Sequence, residues 1–288
     1  MIFLSTINTM NTTNKQNITI DMRKSLYEIG NRTNINHYVI DVDTDIKKDI
    51  FIYDDHRTLL NVIFQSRIAG LCDKSPDLIY FDQHDDAAKT LDKESILQIF
   101  KVNDVSDITP EQFLGFVEFT LGGNDDDWLT AGLELDLINN VLNIGQTKNN
   151  NLHKWKGLYK GHRAYSVSFQ EFSFEDSGVL SFDDSKDIRI QTIRQVLRLI
   201  NRTKTPYILD FDLDCFTKDE GGITRAWTEE EFEDIFSTPC MEGHMQNLIK
   251  GSLYITICRE PECCGGIRES NKILQLLDSY LFDSQINA

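Results

Sequence analysis

The chain has 288 residues, a formal net charge of −17 and a sequence pI near 4.7. An acidic surface of that size repels nucleic-acid phosphates and anionic lipid, so neither is expected as a partner, whereas a cationic substrate would suit it. With 40% hydrophobic and 26% charged residues, the chain is globular rather than disordered and long enough to bury a sizeable core.

No apolar run approaches the roughly 18 residues that a membrane span needs. The opening MIFL has no basic residues before it and is too short for a signal segment. The six cysteines show no CxxC spacing, so a reduced, cytoplasmic protein is expected.

Residues 1–35, rich in Asn and Thr, read as a loose start. Tyr38–Val42 and Ile50–Tyr53 read as short strands, and Arg57–Leu71 carries apolar residues at helical spacing. Asp77–Phe81 (DLIYF) is a strand of apolar and aromatic residues that ends in the polar run DQHDD. Thr109-Pro110-Glu111 signals a helix start over 109–120, and Trp128–Leu142 reads as another helix.

Gly145–Gly161 reads as a surface loop, Tyr165–Phe169 as a strand, Phe172–Asp187 as acidic and irregular, and Ile188–Ile200 as an amphipathic helix. Pro206–Phe211 (PYILDF) is a strand followed at once by Asp212-Leu213-Asp214. Thr228–Phe236 opens with a capping box, Leu253–Cys258 is the last strand, and a helix closes the chain from Glu269. No repeat or linker interrupts this order, so 1–288 is expected to be a single domain: three α/β/α layers around a mostly parallel sheet.

Three of these strands end in acid or histidine: IFIYDDH, LIYFDQHDD and ILDFDLD. In a parallel sheet their carboxyl ends share one edge, where ligands bind. Asp82 and His84 are two apart, as are Asp212 and Asp214, and in extended chain such pairs point the same way. His56, Asp82, His84, Asp86, Asp212 and Asp214 are therefore candidate ligands. Four carboxylates and two imidazoles suit two divalent ions of the Mn²⁺ type. Each piece alone reads more readily as a solvated loop. DxDxD over 210–214 lacks the glycine of a calcium loop where Cys215 stands, and Phe216 departs from a phosphatase aspartate pair.

A DH before a helix, a strand ending in DxHxD and a later strand ending in FDxD together resemble the arginase-type ureohydrolases in motif order. The resemblance covers roughly residues 38–270. It implies an arginase/deacetylase-like fold and a binuclear manganese centre held by His56, Asp82, His84, Asp86, Asp212 and Asp214. There are departures. CFTKDEGG replaces the usual Asp-Pro after FDxD, and Asp210 stands where the family has a small residue. The clamp for the ends of free arginine is not recognisable in AAKTLDKES.

GNDDDWLTAG and TICREPECCGG look instead like a divergent branch that includes the peptide arginases. These convert arginine side chains of ribosomally made precursor peptides to ornithine and release urea. The partner so implied is an arginine-containing precursor peptide; homo-oligomer formation is left open.

In such a mechanism Asp86 would orient the attacking water as well as bind metal, and His153, His162 or His244, each otherwise a surface residue, would protonate the departing amine. Glu260 or Glu262, with Glu262 preferred because Pro261 would fix its approach, would bind the guanidinium. Asp125 and Asp126, with Asp127, would line the entrance; their rival role is an acidic first helical turn. Competing readings are an arginase or agmatinase acting on a free guanidino substrate, a one-zinc deacetylase and a non-catalytic metal-dependent binding protein. The deacetylase would need a His-His pair that the chain lacks.

Overall fold

The computed structural model describes residues 35–71, 74–122, 126–145, 151–167, 173–174, 180–181, 206–237 and 239–286. Residues 1–34, the expected helix Ile188–Ile200 and most of the acidic stretch Phe172–Asp187 lie outside the described residues.

An eight-stranded sheet organises the described residues. Its parallel centre comprises β2 (Ile46–Tyr53), β12 (Ile255–Cys258), β9 (Tyr207–Asp212), β3 (Asp77–Phe81), β4 (Val141–Ile144) and β6 (His162–Val167). Antiparallel strands β1 (Asn36–Asp43) and β5 (Gly157–Tyr159) close the two edges. The strands lie in the order β1-β2-β12-β9-β3-β4-β6-β5. Two small antiparallel pairs lie outside the sheet: β7 (Ser173–Phe174) with β8 (Leu180–Ser181), and β10 (Thr217–Asp219) with β11 (Thr224–Ala226).

The strands at the centre are apolar on both sides because both sides are covered. One face carries Ile50, Ile52, Ile79, Phe81, Leu209, Phe211, Ile255 and Ile257. Helices α6 (Glu229–Phe236), α7 (Pro239–Gly251) and α8 (Ile267–Leu281) cover that face through Phe232, Met245, Ile249 and Ile273. The other face carries Phe51, Tyr53, Leu78, Tyr80, Ile208 and Tyr254 beneath α1 (Thr58–Ile68), α2 (Lys93–Phe100), α3 (Pro110–Phe119) and α4 (Trp128–Glu134). A short helix, α5 (Asn151–Lys154), precedes β5. The α/β/α layering and the mostly parallel sheet are as expected from the alternation of elements.

The capping boxes at Thr109–Gln112 and Thr228–Glu231 are both formed, with Pro110 in the first turn. Between Trp128 and Leu142 the expectation needs correcting. The helix stops at Glu134, Asp136 turns the chain with φ 53°, and Val141–Ile144 pairs with β3 as a strand. A run of apolar residues this short satisfies either period, and only pairing with Leu78–Phe81 decides between them. The expected loop Gly145–Gly161 likewise contains α5 and the edge strand β5.

Strand periodicity then places the polar residues. On the face beneath α1 and α4, β3 and β9 run from apolar to polar as they approach their carboxyl ends. β3 goes from Leu78 through Tyr80 to Asp82, and β9 goes from Ile208 through Asp210 to Asp212, with Tyr80 beside Asp210 in register. On β12, Thr256 pairs with Asp210 and Cys258 with Asp212. A polar layer therefore sits at the carboxyl edge, above an apolar floor.

Candidate metal centre

The run Asp54-Asp55-His56 after β2 divides its work. Asp54 accepts from Arg259 Nε at 2.6 Å, and Asp55 accepts from Arg57 Nε at 2.8 Å. Both acids are thus engaged by arginines, whereas His56 turns inward and is fully buried. Its Nδ1 lies 3.4 Å from Asp82 Oδ2, 2.8 Å from Asp86 Oδ2 and 3.1 Å from Asp212 Oδ2.

After β3 the chain forms a polar loop tied down at many points. Asp82 Oδ1 accepts from the His84 amide at 2.5 Å, and Tyr80 donates its hydroxyl to the Asp85 carbonyl at 2.8 Å. The Asp85 carboxylate accepts the Asn151 and Leu152 amides, so it starts α5 rather than joining the cluster. Asp86 has φ 44°; the Leu129 amide reaches its carbonyl at 3.2 Å, and Trp128 Nε1 donates to its carboxylate at 2.6 Å.

The third contribution follows β9. Asp212 Oδ1 accepts the Asp214 amide at 3.0 Å, and Asp214 Oδ1 accepts the Gln83 amide at 3.2 Å. Across the site, His84 Nδ1 lies 2.7 Å from Asp214 Oδ2 and 3.9 Å from Asp82 Oδ1.

Among the described residues, two groups that contain a histidine have every ligand atom within 4.8 Å of the others: His56 with Asp82 and Asp212, and His84 with Asp82 and Asp214. They share Asp82. In each carboxylate of Asp82 and Asp214, one oxygen is held by a backbone amide. The other, Oδ2, is buried without a hydrogen bond, as is His56 Nδ1.

The electrostatics have one sign. Burial, then the charges of Asp86, Asp214 and Asp212, hold the Asp82 carboxyl well above the usual range; burial, then Asp214 and Glu260, do the same to Asp212. Burial alone would lower the His56 imidazole, but Asp210 and Asp86 reverse that and hold it well above its ordinary value. Contact with Asp214 pushes His84 up to about 9 against the opposing effect of burial.

Like charges packed this closely cost several kcal/mol unless a cation offsets them. Buried carboxylate oxygens and imidazole nitrogens that meet one another this closely, three of them without a hydrogen bond, are what hard-to-intermediate divalent ions take. The residues present fit a pair of such ions.

The remaining candidates separate by position. Glu260 follows β12 at the same edge with φ 30°, and its carboxylate groups with Asp212 and Cys258, and with Asp214 and Cys263. Burial, followed by opposing effects of His56 and Asp86, leaves its carboxyl above the usual range. Glu262 is exposed, so Glu260, and not the preferred Glu262, is the glutamate brought to the cluster; Pro261 instead lies in the turn after Cys258, its carbonyl accepting the Gly266 amide at 2.7 Å.

Asp126 is exposed, its carbonyl accepting the Ala88 amide at 2.7 Å, and Asp127 accepts the Gly122 amide at 2.9 Å. Both flank the loop and neither reaches the two groups. Asp125 lies outside the described residues, as do the side chains of His153 and His244.

His162 is not brought to the site. It is the first residue of β6, which runs parallel to β4 and β3, so it stands at the amino edge. At roughly 3.3 Å per residue, most of a strand length separates it from the ligands. Its ring instead meets the Asn139 carbonyl at 2.7 Å and Asp136 at 3.5 Å.

Three supporting residues join the site that sequence patterning does not single out as parts of it. Trp128 holds Asp86 and lies 4.8 Å, ring to ring, from His56. Asn143 donates to the carbonyls of Asp82 and His84 at 3.3 and 3.2 Å while accepting from Ser166. Asp210 meets His56 Nε2 at 2.9 Å. Asp210 alone carries a signal, as the inward-facing acid two residues before Asp212. Asn143 carries none, because it follows a segment whose spacing reads as helix.

No family model and no curated protein matches the chain. Among solved structures it is similar to formimidoylglutamase from Bacillus subtilis subsp. subtilis str. 168 (11% identity, TM-score 0.42, 82% of this chain and 60% of that one). It is also similar to proclavaminate amidino hydrolase from Streptomyces clavuligerus (12%, TM-score 0.42, 81% and 62%). A third likeness is to Helicobacter pylori arginase (12%, TM-score 0.38, 80% and 73%). The chain thus spans about 60% of the length of the first two. At TM-scores this low, the likenesses carry no weight for function. Among the described residues, no helix is long and apolar enough to cross a membrane.

Proposed function

We propose that the chain is a binuclear metallohydrolase of the ureohydrolase type that converts peptidyl arginine to peptidyl ornithine and urea. One observation carries this reading. Two His-carboxylate groups share Asp82, and three of their inward atoms are buried without hydrogen bonds.

His56, Asp82, Asp86 and Asp212 would hold one ion, and His84, Asp82, Asp212 and Asp214 the other; two Mn²⁺ are proposed. Bound there, the pair would supply a water acidified toward neutrality as nucleophile. The chain's own residues do the rest. Asp86, steadied by Trp128, orients the water. Glu260 meets the guanidinium as a planar acceptor. One water enters, a C–O bond forms and the C–N bond to the side chain breaks, with one proton delivered to the departing amine.

Of the three histidines considered as donors, His153 is preferred. It belongs to α5, whose first amides are held by Asp85 of the ligand loop. His244 belongs to α7, which packs on the opposite face of the sheet, and His162 stands at the far edge.

The segment after the ligand loop supports a peptide substrate. Asp92 is used to cap α2, accepting the Ser95 amide at 2.9 Å, and Ala87 is buried in the core. Neither residue is therefore free to grip the ends of a free amino acid. The acidic rim at Asp126 and Asp127 would draw in a cationic peptide.

The test incubates Mn²⁺-loaded protein with an arginine-containing peptide and, separately, with free L-arginine. Loss of one CN₂H₂ unit per modified residue from the peptide, with urea released, is expected. Urea from free arginine alone would make the enzyme an ordinary arginase. No change in either would leave a metal-dependent binding protein.

A further inference from the structure

Asp210 belongs to neither ligand group, yet it is fully buried directly beneath them. Its Oδ2 lies 2.9 Å from His56 Nε2. Its Oδ1 accepts from Thr256 Oγ1 at 2.5 Å and from the Tyr53 hydroxyl at 3.2 Å. Three neighbouring strands, β2, β12 and β9, thus contribute to one buried hydrogen-bonded unit whose outlet is the His56 ring.

A further carboxylate beneath this acidic cluster is costly to keep. Thr256 and Tyr53 are hydroxyl donors, so Oδ1 is satisfied by both and Oδ2 remains to accept a proton from the ring. An imidazole proton held at Nε2 leaves the Nδ1 lone pair free, and Nδ1 is the atom that faces Asp82, Asp86 and Asp212. His84 has no such arrangement: it is 57% exposed, and its Nδ1 meets Asp214 directly.

We propose that Asp210 is a positioning residue that fixes His56 as an Nδ1 donor, so that the two metal positions are unequal and the His56 position is the more tightly defined. This inference rests on the proposed metal pair. Asparagine at 210 would keep the acceptor for Thr256 and Tyr53 but turn an N–H toward His56 Nε2. The ring would then carry its proton on Nδ1, where it cannot bind a cation. The change removes a carboxylate from a metal-ligating histidine, for which a loss of roughly 10- to 100-fold in affinity is usual.

The experiment titrates metal-free full-length protein with Mn²⁺, following free and bound ion by electron paramagnetic resonance, for wild type, Asp210→Asn, His56→Ala, the double variant and Thr256→Val. Wild type is expected to bind two ions with a coupled spectrum. Asp210→Asn should lose one ion to weaker binding, retain the other and give an uncoupled spectrum. Adding Asp210→Asn to His56→Ala should cost nothing further, which a merely structural role would not produce.

Two coupled ions bound at wild-type affinity in Asp210→Asn would overturn the inference, as would an additional loss in the double variant. If Asp210→Asn does not fold by circular dichroism, Thr256→Val decides. That variant leaves the carboxylate but loosens it, and unchanged affinity at both positions would overturn the inference. Fewer than two ions in wild type would bring down the metal reading itself, and this inference with it.

Discussion

Trp128 donates its indole N–H to Asp86 Oδ2 at 2.6 Å, and both groups are buried. The same ring lies 4.8 Å from His56, so one side chain from α4 steadies a candidate ligand from β3's loop and one from the end of β2. Trp128→Phe keeps most of the ring's packing and removes the donor. We expect activity or metal affinity to fall roughly 10-fold with the circular dichroism spectrum retained. Wild-type metal titration and turnover in the variant would show the contact to be incidental.

Glu260 and Glu262 give opposite expectations. Glu260→Gln removes the proposed charged partner for a guanidinium while leaving the six candidate ligands in place. The KM should rise roughly 10- to 100-fold, the size of a lost charged hydrogen bond, with metal content unchanged. Glu262 is exposed, so Glu262→Gln should leave KM and kcat as they are. A larger effect at Glu262 than at Glu260 would reverse the assignment.

The metal-free protein holds protons where cations would sit. Contact with Asp214 pushes His84 up to about 9, and Asp210 and Asp86, outweighing burial, hold His56 well above its ordinary value. A cation must displace those protons. Metal uptake near neutral pH should therefore release protons, and apparent affinity should rise as pH climbs through about 9, where His84 titrates. The same raised values mean that the folded metal-free protein binds the extra protons, so its stability falls as pH climbs over that range. Calorimetric titrations in buffers of differing ionisation enthalpy test the first point; a buffer-independent heat would contradict it.

Gly145 ends β4 with φ 122°, and a Cβ there would come within 2.5 Å of Cys215 Sγ and 2.9 Å of the Asp82 carbonyl. Gly145→Ala combines backbone strain with a clash beneath the candidate ligand Asp82. Destabilisation of roughly 2–4 kcal/mol is expected, read by urea unfolding of the metal-free protein, together with weaker binding of at least one Mn²⁺. A variant of wild-type stability would show that the neighbouring chain can yield.

Much of the site is legible in the sequence, because it is written in local terms. A strand's length and its alternation set where Phe81 and Phe211 end, and a parallel sheet puts all such ends on one edge. Asp82, His84, Asp86, Asp212 and Asp214 follow those ends directly, and His56 follows Tyr53 by three residues. Their residue types already imply a cation.

What tertiary structure decided depends on contacts between distant segments. Sequence could not order the strands: β12 inserts between β2 and β9, about two hundred residues after β2, and only then does Thr256 stand beside Asp210. Val141–Ile144 became a strand because β3 offered it a partner, which put Asn143 under the ligand loop. The turn after β12 brought Glu260 to the cluster and left Glu262 exposed. Residue chemistry and strand period are intrinsic to the chain, whereas pairing, register and the direction of a turn are settled only when the whole sheet closes around its core.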